Sequence, residues 1–259
     1  MQLPPIPPLF PVRDRLPTRR FPFINYLFII SNVLVFLWQE ALAESGYDEI
    51  GTVLGFVPYQ FTHDPIAAAP TVLTSMFMHG SWGHLLGNML ALWIFGDNVE
   101  DAIGHIRYIA FYVLGGVAAA MTQMAMDPGS HVPMVGASGA ISAVMAAYLA
   151  LYPTSPITVL NPVFLLWFFF GIFLELPAWI VAIEFFVVNL IAAQNSIASA
   201  SHSMGGVAFF AHVGGFIAGF VLVRFFMVGR TKATADAWRG WRPPERRRAD
   251  GWDDSGSYR

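Results

Sequence analysis

The sequence of 259 residues predicts an all-α integral membrane protein, a bundle of six transmembrane helices with both chain ends in the cytoplasm. Three observations carry that expectation. Apolar residues make up 56% of the chain and charged ones 12%, with a mean hydropathy of +0.55, so too little polar side chain remains to cover a water-soluble surface. Six apolar runs recur along the chain, near the length of roughly 20 residues that a bilayer core asks of a helix, with shorter ones tolerated inside a bundle. Of the 14 Lys and Arg residues, all but Arg107 precede the first run or lie at or beyond the end of the last. Under the positive-inside bias this puts both ends in the cytoplasm and demands an even number of spans.

Residues 1–20 read as a cytoplasmic tail containing Pro and Arg. The first run, Phe21 to Trp38, ends in QEALAESG without a small-residue cleavage site at a polar border, so it is expected as a retained signal anchor. Further spans are expected near Leu85 to Phe95, Ile106 to Met126, Ser138 to Tyr152, Pro177 to Ala193 and Val207 to Val228. The stretch from Val163 to Phe173 is as apolar as any of these, but a seventh span would send the two basic ends to opposite sides. Bracketed by Pro162 and Pro177, it is expected as an interfacial or partly inserted segment leading into the fifth helix. Residues 21–228 thus form the membrane domain, and 229–259 a mobile basic cytoplasmic tail. Trp38, Trp82, Tyr108, Tyr152 and Trp179, near helix ends, are expected as interface anchors.

With the amino terminus inside, the second, fourth and sixth helices run in the same direction, so HGSWGHLLGNML, GASGAIS and AHVGGFIAGF meet in one layer. Polar groups in apolar surroundings are costly unless they pair or work. His84 and Asn88, spaced i, i+4, project from one face of the second helix, with Gly87 beside them leaving room for close approach. Gly215 and Gly219 follow His212 on its own side of the sixth helix and allow a neighbouring helix near. The fourth helix offers the matching small face: Ser138, Ser142, Ala146 and Ala150 at intervals of four, flanked by Gly139, Ala143 and Ala147. Packing these faces would bring His212 within hydrogen-bond reach of Ser138, where imidazole can take the hydroxyl proton and make it a nucleophile. The Ser138 amide, at a helix start, and side-chain donors from His84 and Asn88 would complete an oxyanion hole.

In that order and on those helices the three blocks resemble the rhomboid intramembrane serine proteases. The organisation matches over roughly Phe21 to Val228. The resemblance implies a six-helix rhomboid-like bundle in which a Ser–His dyad cleaves transmembrane segments of single-pass membrane proteins near the outer face. It makes Ser138 the nucleophile, His212 the general base and then acid, and His84 and Asn88 the oxyanion residues. The run FGDNVED matches the family's glycine-to-glutamate turn, giving Glu100 a structural role. The family also assigns the fifth helix a lateral gate, and residues 195–206 have the small, polar composition of a cap over the site. The implied partners are transmembrane-helix substrates and the lipid bilayer, in a bacterial inner membrane, with no nucleic acid and no cofactor; no oligomeric state follows.

Two positions depart from the family. The first loop lacks the Trp-Arg pair that many members carry, and the residue four after the serine, an aromatic in some members, is Ser142. The chain has no cysteine, which excludes thiolate metal sites and a cysteine nucleophile. It has no HExxH for a zinc protease and no GxGD block for a membrane aspartyl protease. His79, His131 and His202 are expected as loop or cavity residues. Taken alone, GASGA is ordinary helix-packing sequence, and Ala140 breaks the nucleophile-elbow pattern. The rival readings are a non-proteolytic rhomboid relative that binds membrane helices, and a small transporter or channel built on the same polar layer.

Overall fold

Among the described residues of the computed structural model, three helices are long and apolar enough to cross a bilayer: α1 (Phe23–Glu44), α7 (His105–Met126) and α10 (Phe209–Phe226). The structure describes residues 10–46, 50–161, 171–187 and 209–230. At 1.5 Å per residue the 22 residues of α1 or of α7 extend about 33 Å, against a hydrocarbon core of about 30 Å. Short helices α2 (Ile50–Leu54), α3 (Pro58–His63) and α4 (Pro65–Thr74) build the first loop. After it the chain enters α5 (Trp82–Ala91), passes a π-helical stretch at Leu92–Gly96 and leaves through α6 (Asp97–Ile103). The shorter apolar helices α8 (Ser138–Leu151) and α9 (Ala178–Val187) complete the bundle, and α9 holds the described part of the fifth expected span.

Helix α8 is the centre of the packing. Every residue from Gly139 to Tyr148 is buried, and the small side chains on its faces let α7 and α10 approach closely. A Cβ on Gly215 or Gly219 of α10 would strike the carbonyl oxygens of Gly139 and Ala143, and one on Gly115 of α7 would meet the Ala143 methyl. Contact at backbone distance is what such small-residue faces permit.

Glu100 ties the second helical segment to the first. Its fully buried carboxylate accepts from the amides of Ile24 (2.9 Å) and Asn25 (2.7 Å), satisfying donors that the start of α1 leaves unpaired, and its Oε1 lies 2.5 Å from His105 Nδ1. The Asn25 side chain donates to the Leu92 carbonyl (2.9 Å) in the π-helical stretch and accepts from the Tyr108 hydroxyl (2.9 Å). The structural part expected of Glu100 is therefore visible in its contacts. Tyr108 and Tyr152 differ from expectation: they are 0% and 7% exposed, core residues rather than interface anchors, whereas Trp38, Trp82 and Trp179 are exposed.

A small sheet was not legible in the sequence. Strands β1 (Phe10–Asp14), β2 (Pro156–Leu160) and β3 (Phe173–Pro177) pair antiparallel in that order, with Leu160 opposite both Phe10 and Phe173. The ends of the apolar segment between β2 and β3 are therefore adjacent in space. Its residues 162–170 lie outside the described ones. Part of the expected amino-terminal tail is thus a strand, held at the far end of α8 where the Tyr148 hydroxyl donates to Asp14 (3.1 Å). An ion pair joins Arg15, one residue beyond β1, to Glu175 of β3. Ile157 and Val159 alternate inward and are fully buried.

The first loop, without a Trp-Arg pair, is anchored by its backbone and by stacking. Phe56 and Met134 form a bridge, the Tyr59 amide donates to Ser130 O (3.0 Å), and the Tyr59 ring lies between the imidazoles of His63 and His131, 3.9 and 4.0 Å away. His131 is a loop residue as expected. His202 and the expected cap, residues 195–206, lie outside the described residues.

Candidate active site

Ser138 is the first residue of α8. Ala137 precedes it without a side-chain cap, so the first-turn amides of α8 have no partner within the helix and present their hydrogens at the helix mouth. The preceding turn depends on Gly136, whose φ of +125° is a conformation that residues with a Cβ rarely adopt. The Gly136 amide donates to Ser75 O (2.8 Å), fixing this turn to the end of α4.

On α10, three residues before Gly215, His212 points back at that mouth. Its Nε2 lies 2.7 Å from Ser138 Oγ, across 74 positions of sequence. The close α8–α10 contact makes this distance possible, because a side chain at Gly215 would meet Gly139 O, one residue beyond the serine. His212 is 8% exposed.

His84, in the first turn of α5, faces the same point. A Cβ on Gly136 would lie 2.6 Å from His84 Cε1, 2.7 Å from its Nε2 and 3.6 Å from Ser138 Oγ, so imidazole and hydroxyl border one small volume. Helix α5 is aimed by its N-cap, where Ser81 Oγ accepts from the His84 amide (3.2 Å). Asn88, one turn on, is buried, and its amide nitrogen lies 3.0 Å from His79 Nε2. His79 Nδ1 sits 3.2 Å from the Phe77 carbonyl, which can only accept, so Nδ1 carries the proton and Nε2 accepts from Asn88. The loop bearing His79 is held in turn by Gln39, whose amide donates to His79 O (2.8 Å) and accepts from His79 N (3.1 Å). His79, expected as a loop or cavity residue, is fully buried and acts on Asn88. Its sequence signal was its place at the head of HGSWGHLLGNML, nine residues before Asn88.

All four candidates, Ser138, His212, His84 and Asn88, line one cavity of about 840 Å³ with Gly136 and Phe185. Gly87 lines it too: a Cβ there would meet nothing within 4 Å among the described residues, so this glycine leaves open space beside His84 and Asn88. Among the described residues no three His, Asp or Glu side chains converge as a metal site requires.

Fold and site define an integral membrane protein with a serine, two histidines and an asparagine gathered at a cavity inside a helical bundle. Residues 68–228 match the rhomboid domain. The chain belongs to the rhomboid family. It is 30% identical over 138 residues to the human presenilin-associated rhomboid-like protein, mitochondrial, covering 51% of this chain and 34% of that protein. It is also 30% identical over 128 residues to rhomboid protease GluP of Bacillus subtilis (strain 168), covering 49% and 24%. A third relative, RHOMBOID-like protein 5 of Arabidopsis thaliana, is 30% identical over 79 residues, 30% of this chain and 26% of the plant protein. The matches span about a third or less of the length of these relatives.

Proposed function

We propose that this protein is an intramembrane serine endopeptidase that cleaves transmembrane segments of single-pass membrane proteins. The observation that carries the reading is the 2.7 Å contact between His212 Nε2 and Ser138 Oγ at the wall of a cavity within the bundle. In the proposed reaction Ser138 Oγ attacks the carbonyl carbon of a peptide bond while His212 Nε2 takes its proton. The carbonyl oxygen becomes an oxyanion, held by the Ser138 amide at the start of α8 and by donors from His84 and Asn88. As the C–N bond breaks, His212 returns the proton to the leaving amine. Water, deprotonated by His212, then releases the acyl group from Ser138. The cavity of about 840 Å³ at the dyad has room for it.

The membrane arrangement in this reading is six spans with both ends cytoplasmic: residues 21–228 form the membrane domain between cytoplasmic tails 1–20 and 229–259. The adjacent ends of β2 and β3 support the even count, since a segment that leaves and returns at one point adds no net crossing. Helix α8, 14 residues and about 21 Å long, is shorter than the bilayer core, which supports a Ser138 sunk below the outer face. The proposed partners are transmembrane helices and lipid. The mitochondrial names of several relatives lend no weight to a bacterial inner membrane, while GluP comes from a bacterium.

A helix-binding relative without proteolysis would have no use for a hydrogen-bonded Ser–His pair, and a transporter would show flux in proteoliposomes. The test is incubation of the purified protein with a panel of single-pass substrates, with cut positions mapped by mass spectrometry. Cleavage and fluorophosphonate labelling are expected in the wild type and lost in Ser138→Ala and His212→Ala, with both variants still folded. A fully active Ser138→Ala would overturn the proposal.

A further inference from the structure

An imidazole that must take and return a proton has to be held in plane as well as at its tip, where Nε2 meets Ser138 Oγ. The residue one helical turn after the nucleophile cannot supply a ring. Ser142 is fully buried, its hydroxyl donates back to Ser138 O (2.8 Å), and its Cβ lies 3.4 Å from where a side chain at Gly215 would start. An aromatic side chain faces His212 from a different helix. The Phe185 ring of α9 lies 6.1 Å from the imidazole, centroid to centroid, tilted by 37°, and lines the same cavity. This is within the range of attractive ring pairs. The next residue, Phe186, packs on Phe216 of α10 at 5.0 Å, so two successive rings of α9 straddle the turn of α10 that begins at His212.

We propose that Phe185 is a positioning residue for the His212 imidazole, and that α9 thereby helps to hold the base in its reactive orientation. This rests on the reading of Ser138 and His212 as a catalytic dyad. Because the ring belongs to another element than either member, a displacement of α9 away from α10 would take this ring contact from the imidazole while leaving the α8–α10 contact intact. Helix α9 then acts on the chemistry as well as on access to the cavity.

The test compares Phe185→Ala and Phe185→Tyr with the full-length wild type in detergent. It reads kcat and KM on a single-pass substrate, the rate of fluorophosphonate labelling of Ser138, and the melting temperature. Phe185→Ala is expected to lower kcat and the labelling rate about tenfold each with KM within about twofold, and Phe185→Tyr to restore most of both. A loss confined to KM, a labelling rate in Phe185→Ala equal to wild type, or an equal loss in Phe185→Tyr at unchanged melting temperature would overturn the proposal. A wild type that never labels would instead sink the dyad, which separates the two failures.

Discussion

Replacing Gly215 by alanine tests whether the α8–α10 contact makes the site. The added Cβ would fall inside van der Waals contact of Gly139 O, 3.1 Å from the Gly139 carbonyl carbon and 3.4 Å from Ser142 Cβ. The obstacle is backbone, which cannot rotate aside as a flexible side chain would, so α10 must withdraw by about 1 Å to restore an ordinary carbon–oxygen contact. His212 lies one turn away on the same helix and moves with it. A separation of 2.7 Å opened by that amount passes beyond the roughly 3.5 Å at which a hydrogen bond is still made. The expected result is about a 10²-fold fall in kcat/KM, with a stability loss of about 1–3 kcal/mol. The assay is cleavage of a single-pass substrate alongside fluorophosphonate labelling, with thermal unfolding followed by circular dichroism. Gly51→Ala, where a Cβ meets nothing within 4 Å, is the matched control and should stay at wild-type rate. A folded Gly215→Ala that cleaves within twofold of wild type would refute the claim that close helix approach positions the base.

Other perturbations probe the surroundings. His79→Ala removes the acceptor that holds the Asn88 amide, 3.0 Å away, so kcat should drop about tenfold while KM changes little, as steady-state kinetics would report. Glu100→Gln places an amide hydrogen against the donors of Ile24 and Asn25 and should cost about 2–4 kcal/mol in detergent thermal unfolding; an unchanged melting temperature would contradict the capping role. Asp14 is raised by burial from 3.8 to about 6, against the opposing pull of the Tyr148 hydroxyl and Arg13. A raised carboxylate favours the protonated fold, so its contribution is complete below pH 3.8 and is lost as pH climbs through about 6. Asp14→Asn keeps an acceptor for Tyr148 but does not ionise. It should match wild type near pH 4 and exceed it in stability by on the order of 2 kcal/mol at pH 8, whereas a gap independent of pH would count against this account.

How much of this was legible in the sequence depends on where each constraint resides. The Ser138–His212 contact was legible because small residues recurring every four positions on α8, and a glycine pair just after His212, encode a helix contact in local spacing. His84 and Asn88 were legible for the same reason, one face of one helix. The sheet was not, because β1 and β2 are separated by more than 140 positions and each is only five residues long, too short for a period-two pattern to stand out. Tyr108 was misjudged because nearness to a helix end says nothing about the direction of a side chain. Its hydroxyl is turned inward to Asn25, a residue with no periodic signature.

Phe185 and His79 show why supporting residues are harder to read than the groups they support. In the proposed reaction a nucleophile, a base and an oxyanion donor must have particular chemistry, so the residue types that fit those roles stand out. A residue that only has to fill a ring-sized space, or accept one hydrogen bond, can come from any element that passes close by. Here the ring facing His212 comes from α9, and the acceptor for Asn88 from the loop before α5. The pair therefore behaves differently under displacement: moving α9 takes the Phe185 ring from His212, while His79, locked by Gln39 of α1, keeps Asn88 in place. Measured separately, Phe185→Ala should slow labelling of Ser138 by a fluorophosphonate, which needs an active base. His79→Ala should slow turnover of a peptide substrate more than labelling, because amide cleavage leans harder on the oxyanion donors. Equal ratios of the two rates in both variants would mean that base and oxyanion side are not held independently.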